Sequence, residues 1–348
     1  MNLHLLVLAG GTGTRFWPKS TLQKPKQFLS FDAKGQSLLA QTLGRFEHWI
    51  ASDQTWVITS ESLRETVSLM HPYVRVFGEP QARNTAACIY WGAQLIAQED
   101  PHAVMVVVPS DHWIVSEEVF REVVQTAVFR ASAYPELITL GVVPTRPETG
   151  YGYLKFGKCL DEETKLQKVE AFIEKPDFDR ACLFLESQKY FWNAGIFVWR
   201  VGVLLQAFDR YLPEMQEIWK KAQGNVEQAY RLFPSISIDY AIMEKADCVV
   251  GFPLDCGWDD LGSWNGLEFL ADILGKRQGS NVVFGGELLA MEASENAVDV
   301  PGKFVALLGV KDLVIVENGE RLLVAHKSKA QEIRKLVQMV EKQRPDLV

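Results

Sequence analysis

Cysteine is sparse and scattered. Cys88, Cys159, Cys182, Cys248 and Cys256 are odd in number. They form no Cys-x-x-Cys pair, which excludes a zinc-finger pattern and a disulfide framework. A reducing, cytoplasmic setting is the expectation. No apolar run approaches membrane-spanning length. The opening Met1-Asn2-Leu3-His4 lacks the basic start of a signal peptide. Excess positive charge is missing too. The net charge is −8, so the chain has no global attraction for nucleic acid or anionic membrane, and neither is an expected partner. Any anionic substrate must be met by local cations. Fixed-period repeats, low-complexity tracts and long linkers are also absent.

What is present is material for a sizeable core. With 348 residues and 47% apolar content, one large domain plus a small one is expected. Leu3 to Ala9 is an almost unbroken apolar run, suited to a strand buried on both faces of a parallel sheet. The loop Gly10-Gly11-Thr12-Gly13-Thr14-Arg15 leaves its carboxyl end, where open α/β sheets hold their ligands. Glycines let main-chain N–H groups converge on an anion. Arg15 adds a guanidinium fork that fits phosphate oxygens, and Lys26 follows as a second cation. A dinucleotide fingerprint would need glycine where Phe16 stands, and a Walker A loop would need it where Pro18 stands. A ligand-free glycine turn is the plainest alternative. The third ligand-binding pattern, Leu8 to Arg15 followed by Pro18 and Pro25-Lys26, resembles the opening motif of sugar nucleotidyltransferases.

Further along, strands are expected at 55–59, 74–77, 103–108, 137–142, 190–199 and 247–251. Helices are expected at 37–48 with Ser37 as cap, at 61–70, at 84–98 with Asn84 as cap, and across 201–246, the last from 236 to 246. This alternation means an α/β fold with a doubly wound, mostly parallel sheet. The texture changes near Gly279. Short β runs, a hairpin on Asn318-Gly319 and a helix over 329–341 make a small β-rich C-terminal domain. The expected division is a catalytic domain at 1–275 and the C-terminal domain at 276–348.

Several polar residues stand out against this frame. Asp111 follows the innermost strand, as a helix cap or as a magnesium ligand bridging phosphates. His112 beside it is a metal ligand or a hydrogen-bonded loop histidine. In Trp258-Asp259-Asp260, Asp260 is the preferred ligand and Asp259 a loop acid. Pro144 to Leu154 is a hairpin or a sugar platform, in which Gly152 lets the backbone approach a ring and tyrosine hydroxyls bond to it. Gln167 to Pro176 is a strand ending in Glu174 and Lys175. Asn193 interrupts an apolar run, so it needs a partner in the protein or in a substrate.

The motifs match one family in order along nearly the whole chain. They are the glycine loop through Pro25-Lys26-Gln27-Phe28, Glu79-Pro80 with Arg83-Asn84-Thr85-Ala86, Pro109-Ser110-Asp111-His112, and Pro147 to Tyr153. Phe172 to Pro176, Asn193 to Phe197 and Trp258 to Gly262 complete the set. Together they resemble the bacterial mannose-1-phosphate guanylyltransferases, members of the sugar nucleotidyltransferase family. Lys19 stands in place of a usual leucine and Ile173 in place of a usual valine. Some members carry an isomerase domain after the transferase, and a chain of this length is expected to lack one.

The resemblance implies a Rossmann-like nucleotidyltransferase fold. It also implies attack of the mannose 1-phosphate phosphate on the α-phosphorus of GTP, with pyrophosphate leaving. Magnesium would sit on Asp111 and Asp260. Arg15 would stabilise the leaving group, Lys26 would act near the α-phosphate, and Lys175 would hold the sugar phosphate. The nucleotide would lie against Leu8, Ala9, Gly10, Gly11, Thr12, Gly13, Glu79, Asn84 and Thr85. Glu79, with main-chain carbonyls at Leu8 or Ala9, is the candidate acceptor for the N1 and N2 donors of guanine; its alternative is to cap a turn. Gly152, Glu174 and Asn193 would hold the sugar hydroxyls. A homodimer through the C-terminal domain is a further expectation. The alternatives are another hexose-1-phosphate nucleotidyltransferase or a non-catalytic sugar-nucleotide-binding scaffold. A scaffold is expected to have lost the loop arginine or a metal carboxylate, and Arg15, Asp111 and Asp260 are all present.

Overall fold

A computed structural model describes residues 2–11, 13–32 and 34–348. The chain divides into two compact units. One comprises Met1–Gly10, Leu43–Ser110 and Ile114–Trp258; the other comprises Gly11–Thr42, Asp111–Trp113 and Asp259–Val348.

The first unit is built on a nine-stranded sheet. Across it lie Arg75–Glu79, Thr55–Ser60, Leu3–Ala9, Val104–Pro109, Tyr190–Arg200, Leu137–Val142, Val249–Leu254, Leu166–Ile173 and Tyr153–Asp161. Of these strands, Tyr190–Arg200 and Leu166–Ile173 run against the rest. The sheet is therefore mostly parallel, as the strand–helix alternation requires. Burial follows the period of two. Leu6, Trp56, Ile58, Met105 and Val107 join the apolar cluster of the helices Asn84–Glu99 and Val201–Tyr211. The alternating Leu5, Val7, Val57 and Val106 are equally buried, and the helix Glu117–Ala133 packs on the sheet as well. Gly92 of the first helix layer permits close approach: a Cβ there would collide with the Leu6 side chain at 2.6 Å.

Three local expectations change. The helix expected from 37 ends at Gly44 and continues only as turns, although Ser37 does cap it by accepting from the Ala40 N–H at 3.1 Å. Asn84 is not the cap of its helix. It is the first helical residue, at φ +62°, and Arg83 holds the cap position. The segment 236–246 is no regular α-helix, because Asp239–Met243 forms a π-helical turn. Among the described residues no helix is long and apolar enough to cross a membrane.

The second unit carries a five-stranded sheet. Asn281–Met291, Ala297–Leu308 and Leu313–Asn318 pair in parallel, and Arg321–His326 closes the hairpin on Leu313–Asn318. Gly319 supplies the positive φ, +61°, that this hairpin turn requires. Parallel strands joined by the short link 292–296 coil like a solenoid rather than alternating with helices. The core of this unit gathers Phe16, Trp17 and Leu38 with Trp264, Val314, Val316, Ile333 and Val337. The loop after Gly10 is thus packed with residues from the far end of the chain.

Candidate active site

In the first unit, register sets the carboxyl ends of the parallel strands level. Leu8 faces Pro109, Ala9 faces Thr59, and Ser60 faces Glu79. The Thr59 hydroxyl donates to the Ala9 carbonyl at 3.0 Å. Glu79 is half-buried at this edge. Its Oε1 accepts from the Tyr230 hydroxyl at 3.1 Å. Its Oε2 lies 3.0 Å from where a Cβ on Gly10 would stand. A side chain at position 10 would therefore displace the carboxylate. Asn84 and Thr85 start the neighbouring helix. Asn84 Oδ1 accepts from the Thr85 N–H at 2.8 Å, and Thr85 Oγ1 accepts from the Ile238 N–H at 2.9 Å.

Burial pushes the Glu79 carboxyl up to about 7, opposed by the Tyr230 hydrogen bond. Stability therefore has a pH signature. A carboxyl raised in the folded state favours folding fully below its unfolded value, and that contribution is lost as pH rises through the folded value. Glu79→Gln cannot ionise. Its stability relative to wild type is expected to rise by about 2–3 kcal/mol between about pH 4.5 and pH 8. Urea unfolding at both pH values checks this, and a difference that does not change with pH would refute it.

A second cluster of the same unit surrounds Gly152. A Cβ there would lie 3.3 Å from Glu174 Oε2 and 3.6 Å from Asn193 Cβ. Three expected residues therefore meet. Lys175 ion-pairs with Glu174 and adopts φ +37°. Asn193 finds its partners inside the protein. Its Nδ2 donates to Asp239 Oδ1 at 2.8 Å, and its Oδ1 accepts from the Gly195 N–H at 3.1 Å. The amide is thereby fixed in one orientation. The tyrosines expected on a sugar platform are occupied elsewhere. The Tyr153 hydroxyl donates to the Glu148 carbonyl at 2.8 Å, and the Tyr151 hydroxyl accepts from Arg146 at 3.2 Å.

In the second unit, Gly13 takes φ +59°, and a Cβ there would collide with the Lys26 backbone nitrogen at 2.8 Å. Only glycine fits. The Ser20 hydroxyl fixes the bend by donating to the Gly13 carbonyl at 2.6 Å. Lys26 is buried and reaches Asp111 Oδ2 at 2.8 Å, with its ammonium also on the Asp260 carbonyl. Burial acts to raise the Asp111 carboxyl, but the Lys26 and His112 charges outweigh it and hold the group below the usual carboxylate range. The Asp260 carboxylate lies over Gly262, 2.8 Å from where its Cβ would be, and Arg15 donates to the Gly262 carbonyl at 3.3 Å. Asp259 is fully buried and accepts from the Leu261 N–H at 2.7 Å, which suits its reading as a loop acid.

Gly13, Arg15, Lys26, Asp111, Asp260 and Arg334 line one hollow of about 330 Å³. Gly11 is exposed nearby in sequence, and Thr12 lies outside the described residues. Two carboxylates and several cations around one hollow suit a polyphosphate with a hard divalent cation. A larger hollow of about 670 Å³ in this unit, lined by Lys19, Asp299 and Glu317 among others, holds none of the expected site residues. Tyr230, Asp239 and Arg334 were not legible beforehand. The first two lie in a stretch read only as helical, and Arg334 reads as a solvated position of an amphipathic helix.

Comparison with known proteins gives two family matches. Residues 4–275 match the model described as nucleotidyl transferase. Residues 286–340 match the model described as MannoseP isomerase/GMP-like beta-helix domain. A mannose-1-phosphate guanylyltransferase of Salmonella muenchen is 35% identical over 95% of this chain and 72% of its own length. One from Escherichia coli is 31% identical over 97% of this chain and 75% of its own length. A crystal structure described as mannose-1-phosphate geranyltransferase from Thermus thermophilus is 32% identical. It superposes with a TM-score of 0.88 and covers 98% of this chain and all of that one.

Proposed function

The chain belongs to the nucleotidyl transferase family, and from that premise we propose how its own residues carry out guanylyl transfer. It is a mannose-1-phosphate guanylyltransferase, transferring GMP from GTP to mannose 1-phosphate to give GDP-mannose and pyrophosphate. In the reaction a phosphate oxygen of mannose 1-phosphate forms a bond to the α-phosphorus. The bond from that phosphorus to the β-bridging oxygen breaks, and its electron pair leaves with pyrophosphate. Two anions must approach each other, so positioning and charge neutralisation are the protein's task.

The observation that carries the assignment of roles is the hollow shared by Arg15, Lys26, Asp111 and Asp260. Arg15 binds the β- and γ-phosphates and neutralises the charge that builds on the leaving group. Lys26 acts on the α-phosphate, held in place by Asp111 and the Asp260 carbonyl. Gly10, Gly11 and Gly13 offer main-chain N–H groups to phosphate oxygens, and Thr12 belongs to the same proposed nucleotide-binding set. Asp111 and Asp260 are the residues that would hold a divalent cation, for which we propose magnesium. Among the described residues no group of three or more His, Cys, Asp and Glu gathers for a metal. A pair of carboxylates fits magnesium, which commonly binds one or two carboxylates and keeps waters and substrate phosphates as its other ligands. The cation, when bound, would supply charge neutralisation across the phosphates.

Glu79 reads the base, with carbonyls of Leu8 or Ala9 sharing the task and Asn84 and Thr85 flanking the nucleotide. Glu174, Asn193 and the Gly152 main chain hold the sugar hydroxyls, and Lys175 holds its phosphate. The family matches to 4–275 and 286–340 support a catalytic domain at 1–275 and a C-terminal domain at 276–348. We propose a cytoplasmic enzyme that dimerises through the C-terminal domain.

Pyrophosphate release from each of the four ribonucleoside triphosphates, paired with mannose or glucose 1-phosphate, tests the reading. GTP with mannose 1-phosphate is expected to lead every other pair in kcat/KM by at least about tenfold. A higher efficiency for any other pair would reassign the substrates.

A further inference from the structure

The hollow that holds Arg15 and Lys26 has one wall from the far end of the sequence. Arg334 lines it together with Gly13, Asp111 and Asp260. We propose that Arg334 is a further substrate-binding cation of the guanylyl transfer, a guanidinium fork for the β- and γ-phosphates and for the pyrophosphate that leaves. The proposal rests on reading this hollow as the phosphate site.

Packing fixes where Arg334 stands. It is the second residue of the helix Ile333–Gln343. Ile333 and Val337, at 3% and 4% exposure, are buried in the same apolar cluster as Phe16 and Trp17. Those two residues follow Arg15 directly, so one core anchors both arginines. The i, i+4 spacing of the buried pair leaves Arg334 off the core-facing stripe.

Charge accounting sets it apart from its nearest cationic neighbours in the chain. Lys327 pairs with Glu268, and Lys329 and Lys335 both pair with Glu332. Among the described residues Arg334 makes no ion pair. A cation in the first turn opposes the helix dipole, so helix stability does not explain it. A phosphate in the hollow would reverse the sign, meeting both the guanidinium and the positive helix end. Arginine suits the task because its planar fork can grip two phosphate oxygens at once. The residue lies within the segment 286–340 that matches the beta-helix model. That segment would then supply a group to the reaction.

The test uses the full chain as Arg334→Ala, Arg334→Lys and Arg15→Ala, with Lys335→Ala as a surface control. Forward kinetics and reverse pyrophosphorolysis of GDP-mannose are measured for each. Arg334→Ala is expected to raise KM for pyrophosphate and lower kcat/KM for GTP by about tenfold or more, with KM for mannose 1-phosphate changed less than about twofold. Arg334→Lys, which keeps the charge but not the fork, should fall between Ala and wild type. An unchanged KM for pyrophosphate in Arg334→Ala, while Arg15→Ala raises it, overturns the proposal and leaves the phosphate site standing. No change in either variant overturns the phosphate site and the proposal together. A merely structural role is excluded if the Ala variant keeps the wild-type unfolding midpoint while KM for pyrophosphate rises. A lowered midpoint, with wild-type KM in the Lys variant and kcat alone reduced in the Ala variant, overturns the proposal.

Discussion

Asp111→Asn should lower kcat by about three orders of magnitude at saturating magnesium, with the fold intact. Asparagine keeps the shape of the side chain and its place beside Lys26, so packing is conserved. What it loses is the anionic oxygen that a hard cation requires. Loss of a metal ligand removes charge stabilisation worth several kcal/mol where charge moves onto the leaving group, and about 4 kcal/mol corresponds to a thousandfold. Lys26, buried and hydrogen-bonded to Asp111 at 2.8 Å, would also lose the charge that compensates its own. Asp260→Asn should act in the same direction, because Asp260 lines the same hollow. The measurement is kcat across a magnesium titration, with thermal unfolding as a control. Turnover within about tenfold of wild type in either variant would show that it is not a metal ligand.

Glu79→Gln should weaken GTP use by about 10–100-fold and narrow the preference for GTP over ITP. Guanine presents N1–H and an exocyclic amino group, both donors, and a carboxylate can accept from both. The Tyr230 bond to Oε1 and the nearness of Oε2 to Gly10 already fix this carboxylate. An amide keeps one acceptor and sets a donor against an N–H. ITP lacks the two-amino group, so it has less to lose. With the carboxyl pushed up to about 7, wild-type efficiency with GTP should also climb as pH rises through that value, and the climb should vanish in the variant. The ratio of kcat/KM for GTP and ITP in the two proteins decides the matter. An unchanged ratio would leave base reading to the main chain alone.

Much of the fold was legible along the chain because its signals are local. The apolar runs 3–9 and 103–108 announce buried parallel strands, and Ser37 caps its helix; the hairpin expected on Asn318-Gly319 is present, but Asn318 pairs with Arg321 and the turn itself is Gly319-Glu320. Arg15, Lys26 and Asp111 stood out by residue type beside a glycine loop. The π-helical turn at Asp239–Met243 and the short helix Leu38–Gly44 did not stand out, because tertiary packing overrode their periodicity.

Partnership was decided only in three dimensions. Lys26 meets Asp111 across 85 positions, Asn193 meets Asp239 across 46, and Glu79 meets Tyr230 across 151. No period or motif encodes such distances, since each depends on how separate elements pack. In sequence the glycine loop leaves the carboxyl end of the first strand, yet residues 11–42 pack into one unit with 259–348. Phe16 and Trp17 are apolar and need a core, and Trp264, Val316 and Ile333 provide it. Burial of those side chains sets Arg15, and with it Arg334, at one hollow. The sequence alone determined the strands, the glycine loop and the chemistry of the family. Tertiary packing decided which charges meet, because apolar burial has no direction along the chain and joins whichever faces complement each other.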